Sequence, residues 1–487
     1  MAQLDRRTFL RGATAVAGGA VLGGPFAGYL AGPAAARSRR VGSPLGPVPD
    51  ELDQVVRLWL PEGFHYRSFH DTATPVTLDD GTLLPARHDG MAAFAGPGRR
   101  VWLVRNHEVN GPGAAFGPGA PYDAMARGGT TTTLVDRYGR VERAFTSLNG
   151  TQMNCAGGRM PWGSWVTCEE TVNGPDVGPD FTGVSNVPLT QRHGFLFEVP
   201  AGGQGDREPI TAAGRFLHES AAFDPREGVL YMTEDNFGFP SGFYRYLPRR
   251  RHESGGSDGS QLPDDGRLQM LAVAGHPNAD LAASQPQGAR YRVRWVYIDD
   301  PNPSFSYTPG QVAPTTNDQA LRHVGDQGRA QGAAWFSRLE GSVYDDGTVW
   351  FTSTQGGGAP EASIGPIANG FGNGSGQVWA YDIRSQTLRM AYESPGPDTL
   401  DLPDNVTRRS SRGALVLCED GTNDNYLRGL TRRGEVFDIA LNRLPGQFND
   451  EFAGATFSPD GHTLFVNIQA SRALTFAIWG PWDRLGV

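Results

Sequence analysis

Short apolar and β-branched runs, each followed by a polar or acidic cluster, recur along this chain from about residue 100 to the end. Runs of this kind, rich in valine, threonine and aromatic residues, predict β-strands. Turn sequences such as Asp224-Pro225 and Asp345–Gly347 precede several of them. The six clear instances are Val101–Val104, Ser164–Thr167, Gly228–Thr233, Gly347–Thr352, Ala414–Leu417 and His462–Val466.

Imperfect repeats spaced a few tens of residues apart are typical of β-propellers. The pattern therefore predicts an all-β fold, a six-bladed β-propeller with loop insertions. Segments such as Gly194–Val199 and Gln377–Asp382 are predicted as further strands of the blades. Residues 250–335 fill a longer gap between the third and fourth repeats and include a polar run at 252–266 that predicts a surface loop.

Inner propeller strands run alongside a central channel, so acidic clusters at strand ends are expected to converge at one mouth. The alternative is that each cluster only caps its own turn in solvent.

The first 36 residues predict a twin-arginine export signal. Arg6-Arg7 is followed by a weakly apolar Ala/Gly-rich run and by Ala34–Ala36, a plausible cleavage site. We expect export by the twin-arginine translocase to the periplasm, cell surface or medium. Residues 37–60 are predicted to be a linker and 61–487 a single propeller domain. Outside the signal, no stretch is long and apolar enough to span a membrane, so no stable membrane association is expected.

Charge excludes several functions. The net charge is −9, and because Arg6, Arg7 and Arg11 against Asp5 give the leader +2, the remainder carries −11. An acidic body argues against a nucleic-acid partner. The chain contains no lysine, which excludes a Schiff-base lysine and a P-loop lysine.

The densest chemical signal lies between Asn149 and Glu170. Cys155 stands beside the side-chain-poor Gly157-Gly158, and a predicted strand ends on Cys168-Glu169-Glu170. Thiolates favour softer or redox-active metals and carboxylates favour hard cations such as calcium, so the segment indicates a metal site. The three cysteines are too few for a disulfide framework, and whether Cys168 pairs with Cys418 stays open.

Other candidate residues lie further along the chain. His218-Glu219 is a possible ligand pair, and Arg338 and Glu340 share one face of an extended segment because side chains alternate with period two. Such an arginine forms either a plain ion pair or a bidentate grip on an anionic substrate. Asp404 and the Asp450-Glu451 pair offer further oxygen ligands. The G-x-S-x-G match at 255–259 lacks the strand and helix of a nucleophile elbow and is attributed to chance.

Together these motifs resemble the PhoX-type bacterial alkaline phosphatases. The resemblance runs in order from about Arg105 to the end of the chain. The motifs are Asn154–Gly158, Pro161–Gly163, Cys168–Glu170, His218-Glu219, Arg338–Gly341, Pro403–Asn405 and Ala453–Gly461.

The resemblance implies a six-bladed propeller that hydrolyses phosphate monoesters at a mixed Fe3+–Ca2+ centre and releases inorganic phosphate. It implies that Cys155, Glu219 and Glu340 bind iron and that Arg338 binds the phosphoryl group. The residues implied as calcium or iron ligands are Glu169, Glu170, Glu234, Asp235, Glu419 and Asp420.

Two other functions fit the same pattern. A calcium-dependent propeller esterase or lactonase would need carboxylate and asparagine ligands, without a thiol or Arg338. A secreted propeller that only binds a ligand would use calcium as a structural element and would not turn over phosphate esters. Cys155 and Arg338 favour the phosphatase.

Overall fold

The structure is a computed structural model that describes residues 43–249, 262–360 and 373–487. The predicted export signal and the G-x-S-x-G loop lie outside these residues. The described part of the chain is built almost wholly from antiparallel strands, so the predicted all-β class is confirmed. Within the same ranges, no helix is long and apolar enough to cross a membrane.

The strands are numbered in chain order. Strands β1 to β9 are Leu45–Pro49, Val56–Pro61, His65–Phe69, His88–Ala95, Val101–His107, Gly128–Val135, Val141–Thr151, Asn154–Arg159 and Ser164–Glu169. Strands β10 to β18 are Leu196–Pro200, Pro209–Ile210, His218–Asp224, Val229–Glu234, Phe243–Leu247, Arg267–Val273, Arg290–Tyr297, Leu339–Asp345 and Thr348–Ser353. Strands β19 to β27 are Gln377–Asp382, Thr387–Glu393, Pro403–Arg408, Leu415–Glu419, Tyr426–Leu430, Val436–Asn442, Glu451–Phe457, Thr463–Gln469 and Leu474–Trp479.

Among the described residues, helices are few and short. Helix α1 spans Asn317–Ala330 and begins with a capping box between Thr316 and Gln319. Helix α2 spans Trp482–Leu485, and single 3-10 turns cover Pro97–Arg99 and Thr211–Ala213.

The strands form consecutive antiparallel groups. The first group is β4 to β7 and the second is β8 to β11. The third, β12 to β16, and the fourth, β17 to β20, are joined edge to edge by β16 and β20 into one nine-stranded sheet. The fifth is β21 to β24, extended by β2 and β1, and β3 completes the sixth group, β25 to β27.

The first strands of the groups surround a common centre. Strands β4, β8, β12, β17, β21 and β25 each contact the next, and β25 contacts β4, so the cycle is closed. Each first strand pairs with the second strand of its own group. This arrangement is propeller-like, and it points the residues of the first strands toward one channel.

The predicted runs fall at equivalent places in the fold, since each lies in the second strand of its group: β5, β9, β13, β18, β22 and β26. The long gap at 250–335 supplies β15, β16 and α1. Where the sequence predicts a linker at 37–60, the structure has β1 and most of β2. They are held in the sheet because Leu58 and Leu60 bury their side chains in the core beside the fifth and sixth groups.

The core lies between neighbouring groups. Strands are buried on both faces, which explains why they appear as nearly continuous apolar runs rather than alternating ones. Between the third and fourth groups, Phe243 stacks on Phe351 with ring centroids 4.3 Å apart. The three cysteines are buried free thiols, so Cys168 and Cys418 do not pair.

Candidate metal centre and active-site cavity

All six first strands carry a β-bulge at the same level of the channel. In each, two residues of the first strand lie opposite one residue of its partner, for example Glu219 and Ser220 opposite Thr233, between the pairs His218–Glu234 and Ala221–Met232. The other five bulges show the same offset. A bulge redirects side chains that would otherwise alternate across the sheet. The same bulge therefore recurs in every first strand around the channel, and in each strand it changes the direction of a side chain.

The first bulged residue is acidic or a thiol in five of the six groups. In chain order, these residues are Asp89, Cys155, Glu219, Glu340, Asp404 and Gly454. All five side chains are buried. Equivalent positions on neighbouring strands thus bring ligand-type side chains from distant parts of the sequence together.

These side chains form two clusters that share Glu219. One is Cys155, Glu170 and Glu219, and the other is Glu219, Glu340 and Asp404. Within each cluster, the potential ligand atoms lie within 4.8 Å of one another. The Oε2 atom of Glu219 is buried and accepts no hydrogen bond from the described residues. A buried carboxylate oxygen in that state is costly unless a cation binds it, so the donor set fits a metal ion.

Electrostatics point to the same conclusion. Burial raises the pKa of the Cys155 thiol, and the charges of Glu219 and Glu170 raise it further. Burial also raises the pKa of Glu219, with added repulsion from Glu340 and Glu170. A cation placed among these groups would relieve that repulsion and favour their charged forms. The thiol donates to the carbonyl of His218 at 3.1 Å.

A cavity of about 690 Å3 opens above the clusters. Its acidic side includes Cys155 and a set of carboxylates, of which Asp89, Glu108, Glu219, Asp404, Asp420, Asp450 and Glu451 line the wall. Other residues of the cavity lining are apolar, among them Leu83, Leu84, Phe116, Met153 and Phe181. Two arginines line it: Arg87 is paired with Glu108, and Arg127 donates to the carbonyls of Asn110 and Gly111.

Arg338 lies behind Glu340 and is not part of the cavity lining. Its Nε and Nη2 donate to the two oxygens of Asp235, each at 3.0 Å, and Nη2 also donates to Glu340 at 2.8 Å. The remaining nitrogen, Nη1, contacts Oε1 of Gln355 at 3.5 Å, the outer limit for a hydrogen bond. Asp235 thus fixes the plane of the Arg338 guanidinium beside the cluster, and Nη1 makes only a weak hydrogen bond.

The carboxylates at the ends of three second strands, β9, β13 and β22, instead accept hydrogen bonds from backbone N–H groups and from nearby side chains. Glu169 accepts from the backbone N–H groups of Gln152, Gly194 and Phe195, and from His193. Glu234 accepts from the Gly242 N–H and the Tyr244 hydroxyl.

Glu419 makes the third connection of this kind. It accepts from the N–H groups of Asp401 and Tyr426 and from Arg428. Burial raises its pKa to about 7. These carboxylates connect the second strand to the loops and to the strand that follows it.

The ligands predicted from the sequence therefore fall into two groups: those that lie in or next to the clusters, and those that lie outside them. Cys155, Glu170, Glu219 and Glu340 come together, and Asp420 lines the cavity above them. Asp235 orients Arg338, whereas Glu169, Glu234 and Glu419 lie outside the clusters.

Sequence reasoning missed Asp89 and treated Asp404 as one minor oxygen ligand among several. A usable signal was present: an acid or cysteine followed by a small or polar residue, as in Asp89-Gly90, Cys155-Ala156, Glu219-Ser220 and Glu340-Gly341. That pattern marks the bulged first strand, whereas the apolar runs mark the second strand.

Fold and site together define a propeller-type protein whose channel holds a thiol–carboxylate site suited to metal ions. The family model described as alkaline phosphatase PhoX matches residues 43–145 and 139–471. The chain belongs to the PhoX alkaline phosphatase family, a metal-dependent family of phosphoric monoester hydrolases. The resemblance drawn from the motifs is confirmed.

Two solved structures are similar to this chain, and the first of them supports the fold. Pseudomonas fluorescens PhoX in complex with vanadate, a transition state analogue, is similar with a TM-score of 0.62 and 18% identity, over 92% of this chain and 98% of that one. A gluconolactonase from Xanthomonas campestris is similar with a TM-score of 0.38 and 14% identity, over 90% and 99% of the two chains. Comparison with curated protein sequences gives no match.

Proposed function

We propose that this protein hydrolyses phosphate monoesters at an iron–calcium centre in the propeller channel. The observation that carries the proposal is the pair of clusters sharing Glu219, which joins a buried thiol and four carboxylates, of which Cys155, Glu219 and Asp404 line an acidic cavity. Membership in the PhoX family supports the reaction class. In the reaction, a water oxygen forms the new bond to phosphorus while the bond to the alcohol oxygen breaks, and the alcohol leaves with a proton.

We assign iron to Cys155, Glu219 and Glu340, because ferric iron accepts thiolate and carboxylate ligands together. We assign calcium to the oxygen-only donors around them, with Asp404 and Asp420 as the first candidates, because calcium prefers oxygen ligands. Bound metal ions would supply Lewis-acid polarisation of the phosphoryl oxygens and a water of lowered pKa.

The residues of the chain would position the substrate. Arg338 is proposed to donate through Nη1 to a phosphoryl oxygen, where charge increases in the transition state. Asp235 would hold that guanidinium in the required plane.

We also propose that the propeller has six blades, supported by the closed cycle of first strands and by their six bulges. The paired arginines at Arg6-Arg7 support export through the twin-arginine translocase, and members of the PhoX family are typically exported.

The first experiment is elemental analysis of the purified protein with hydrolysis of p-nitrophenyl phosphate, with and without added calcium. Iron, calcium and turnover are expected together. Cys155→Ala should lose iron and at least about a hundredfold in kcat, as when one preorganised transition-state contact is removed. The matched control is Cys418→Ala, which removes a buried thiol outside the clusters.

The alternatives give different results. Calcium without iron and without turnover would indicate a binding propeller. Calcium-dependent cleavage of a carboxylate ester without phosphate release would indicate an esterase. Full activity and iron in Cys155→Ala would contradict the ligand assignment.

A further inference from the structure

We propose that the apolar side of the cavity is a subsite for the leaving group of the ester, and that it selects an aromatic ring. This inference rests on the proposed phosphatase function. Its central residues are Phe116, Phe181, Met153 and Leu83, which line the same cavity as the carboxylates. A volume of about 690 Å3 lies in the range of pockets that enclose a small organic molecule, and is larger than a phosphoryl group alone requires.

Phe116 is held firmly by the loop between β5 and β6. The two arms of that loop pair through Gly113 N–H to Met125 O at 3.0 Å and Ala115 N–H to Ala124 O at 3.1 Å. Below the ring, a Cβ added at Gly129 would lie 2.9 Å from its atoms, so the glycine makes room for the phenyl group. The ring therefore has a fixed position before any ligand binds.

Phe181 comes from the loop between β9 and β10, and the two loops are joined. Asp180 accepts hydrogen bonds from Asn110 of the first loop at 2.9 Å and from Asn173 of its own loop at 3.1 Å. Phe181 also packs edge to face on Phe237, with centroids 5.3 Å apart. The two aromatic side chains are thus parts of one preorganised wall, and binding would cost little ordering entropy.

Leu83 extends this wall to the rim. It is 60% exposed, although its neighbour Leu84 is buried. Its hairpin is anchored to β7 by Asp79, which accepts from the Ala144 N–H at 2.8 Å, and by Asp80, which accepts from the Thr146 N–H at 2.7 Å. The exposed leucine is therefore held in place at the mouth, where a bound ring would cover it.

The chemistry of the wall favours a ring over a polyol. Phenylalanine side chains attract another ring in edge-to-face or offset geometry, in addition to the gain from the apolar area buried. The hydroxyl groups of a sugar or of glycerol would lose hydrogen bonds to water against these side chains. Esters of aromatic alcohols should therefore bind better in the transition state than esters of polyols of similar size.

The test compares benzyl phosphate with glycerol phosphate on the metal-loaded, full-length protein. Both release an alcohol rather than a phenol, so their intrinsic reactivities are similar. Phe116→Ala should lower kcat/KM for benzyl phosphate about tenfold and change that for glycerol phosphate less than about twofold, since tenfold corresponds to about 1.4 kcal/mol. Leu83→Ser changes an exposed position and should give a smaller loss of the same selectivity. It provides the test of the subsite if Phe116→Ala does not fold.

Leu52→Ser is the matched control, since Leu52 is 55% exposed and outside the cavity lining. Equal losses for both esters, or no change in their ratio, would overturn the subsite. If the wild type turns over neither ester, calorimetric titration with benzylphosphonate and methylphosphonate separates the two proposals. Tighter binding of the benzyl compound that is lost in Phe116→Ala would keep the subsite and reject the phosphatase, whereas equal binding would reject the subsite as well.

Discussion

Cys155, Glu219 and Glu340 are far apart in sequence, yet each is the first residue of the bulge in its own first strand. Position in the bulge, rather than residue type, separates them from Glu169, Glu234 and Glu419. The latter three end their second strands and use their oxygens on backbone N–H groups. Both sets are buried carboxylates or thiols, and only the direction of the side chain differs.

Replacement of Arg338 by lysine tests its proposed contact with the phosphoryl group. Lysine cannot reproduce the bidentate contact with Asp235, so Arg338→Lys should lower kcat about a hundredfold while iron content stays near that of the wild type. Steady-state kinetics with elemental analysis measures both. A loss of metal in parallel with activity would show that Arg338 only supports Glu340. A larger kcat loss in Arg127→Gln than in Arg338→Lys would move the phosphoryl contact to the cavity arginine.

Among elements, the first strands stand closer together than most side chains permit. Small residues follow several bulged residues, and at Gly341 an added Cβ would lie 2.6 Å from the Val406 nitrogen and 2.7 Å from the Asn405 Cα. These neighbours are backbone atoms of β21 and cannot rotate away. Close approach of β17 and β21 is therefore what brings Glu340 and Asp404 into one cluster.

Gly341→Ala should force these strands apart. We expect a loss of about 1–3 kcal/mol in the free energy of unfolding, the usual cost of overpacking, and weaker metal retention. Urea unfolding and metal content measure the two effects. Gly46→Ala is the control, since nothing lies within 4 Å of a Cβ added there. Equal stability of the two variants would contradict the close approach.

For the whole molecule, closure joins the two ends of the described chain. Strand β3 completes the last group by pairing with β27, and β2 pairs with β24.

Between the first and second groups, the buried His193 ring contacts Glu169 at 2.7 Å and Asp123 at 3.6 Å. Burial alone would lower the pKa of His193, but the two carboxylates outweigh it and raise the pKa to about 9.

This network predicts how stability depends on pH. The folded-state pKa of His193 is above its unfolded value of 6.5, so its contribution is fully present below pH 6.5 and is lost as pH rises through about 9. The shift corresponds to on the order of 3 kcal/mol. Urea unfolding between pH 6 and pH 10 should show this decline in the wild type.

His193→Gln should be less stable at pH 6 and should show a flatter decline, because it leaves Glu169 and Asp123 without the cation. The exposed His276→Gln is the control and should follow the wild type. An unchanged slope in His193→Gln would refute the ion-pair assignment.

Much of this architecture can be predicted from local patterns in the sequence. The apolar runs located the second strand of every group, because strands buried on both faces need continuous apolar residues. Cys155, Glu219, Glu340 and Arg338 are predicted as site residues from short motifs, and the family follows from the order of those motifs.

Sequence alone determined the all-β class, the repeat and the ligand types. Only the tertiary structure decided which acids meet, because that depends on bulge direction and on contacts between strands far apart in the chain. Glu169 and Glu170 are neighbours, yet one holds a loop and the other joins the Cys155 cluster. A strand turns successive side chains to opposite faces, so a shift of one residue separates a structural carboxylate from a candidate metal ligand.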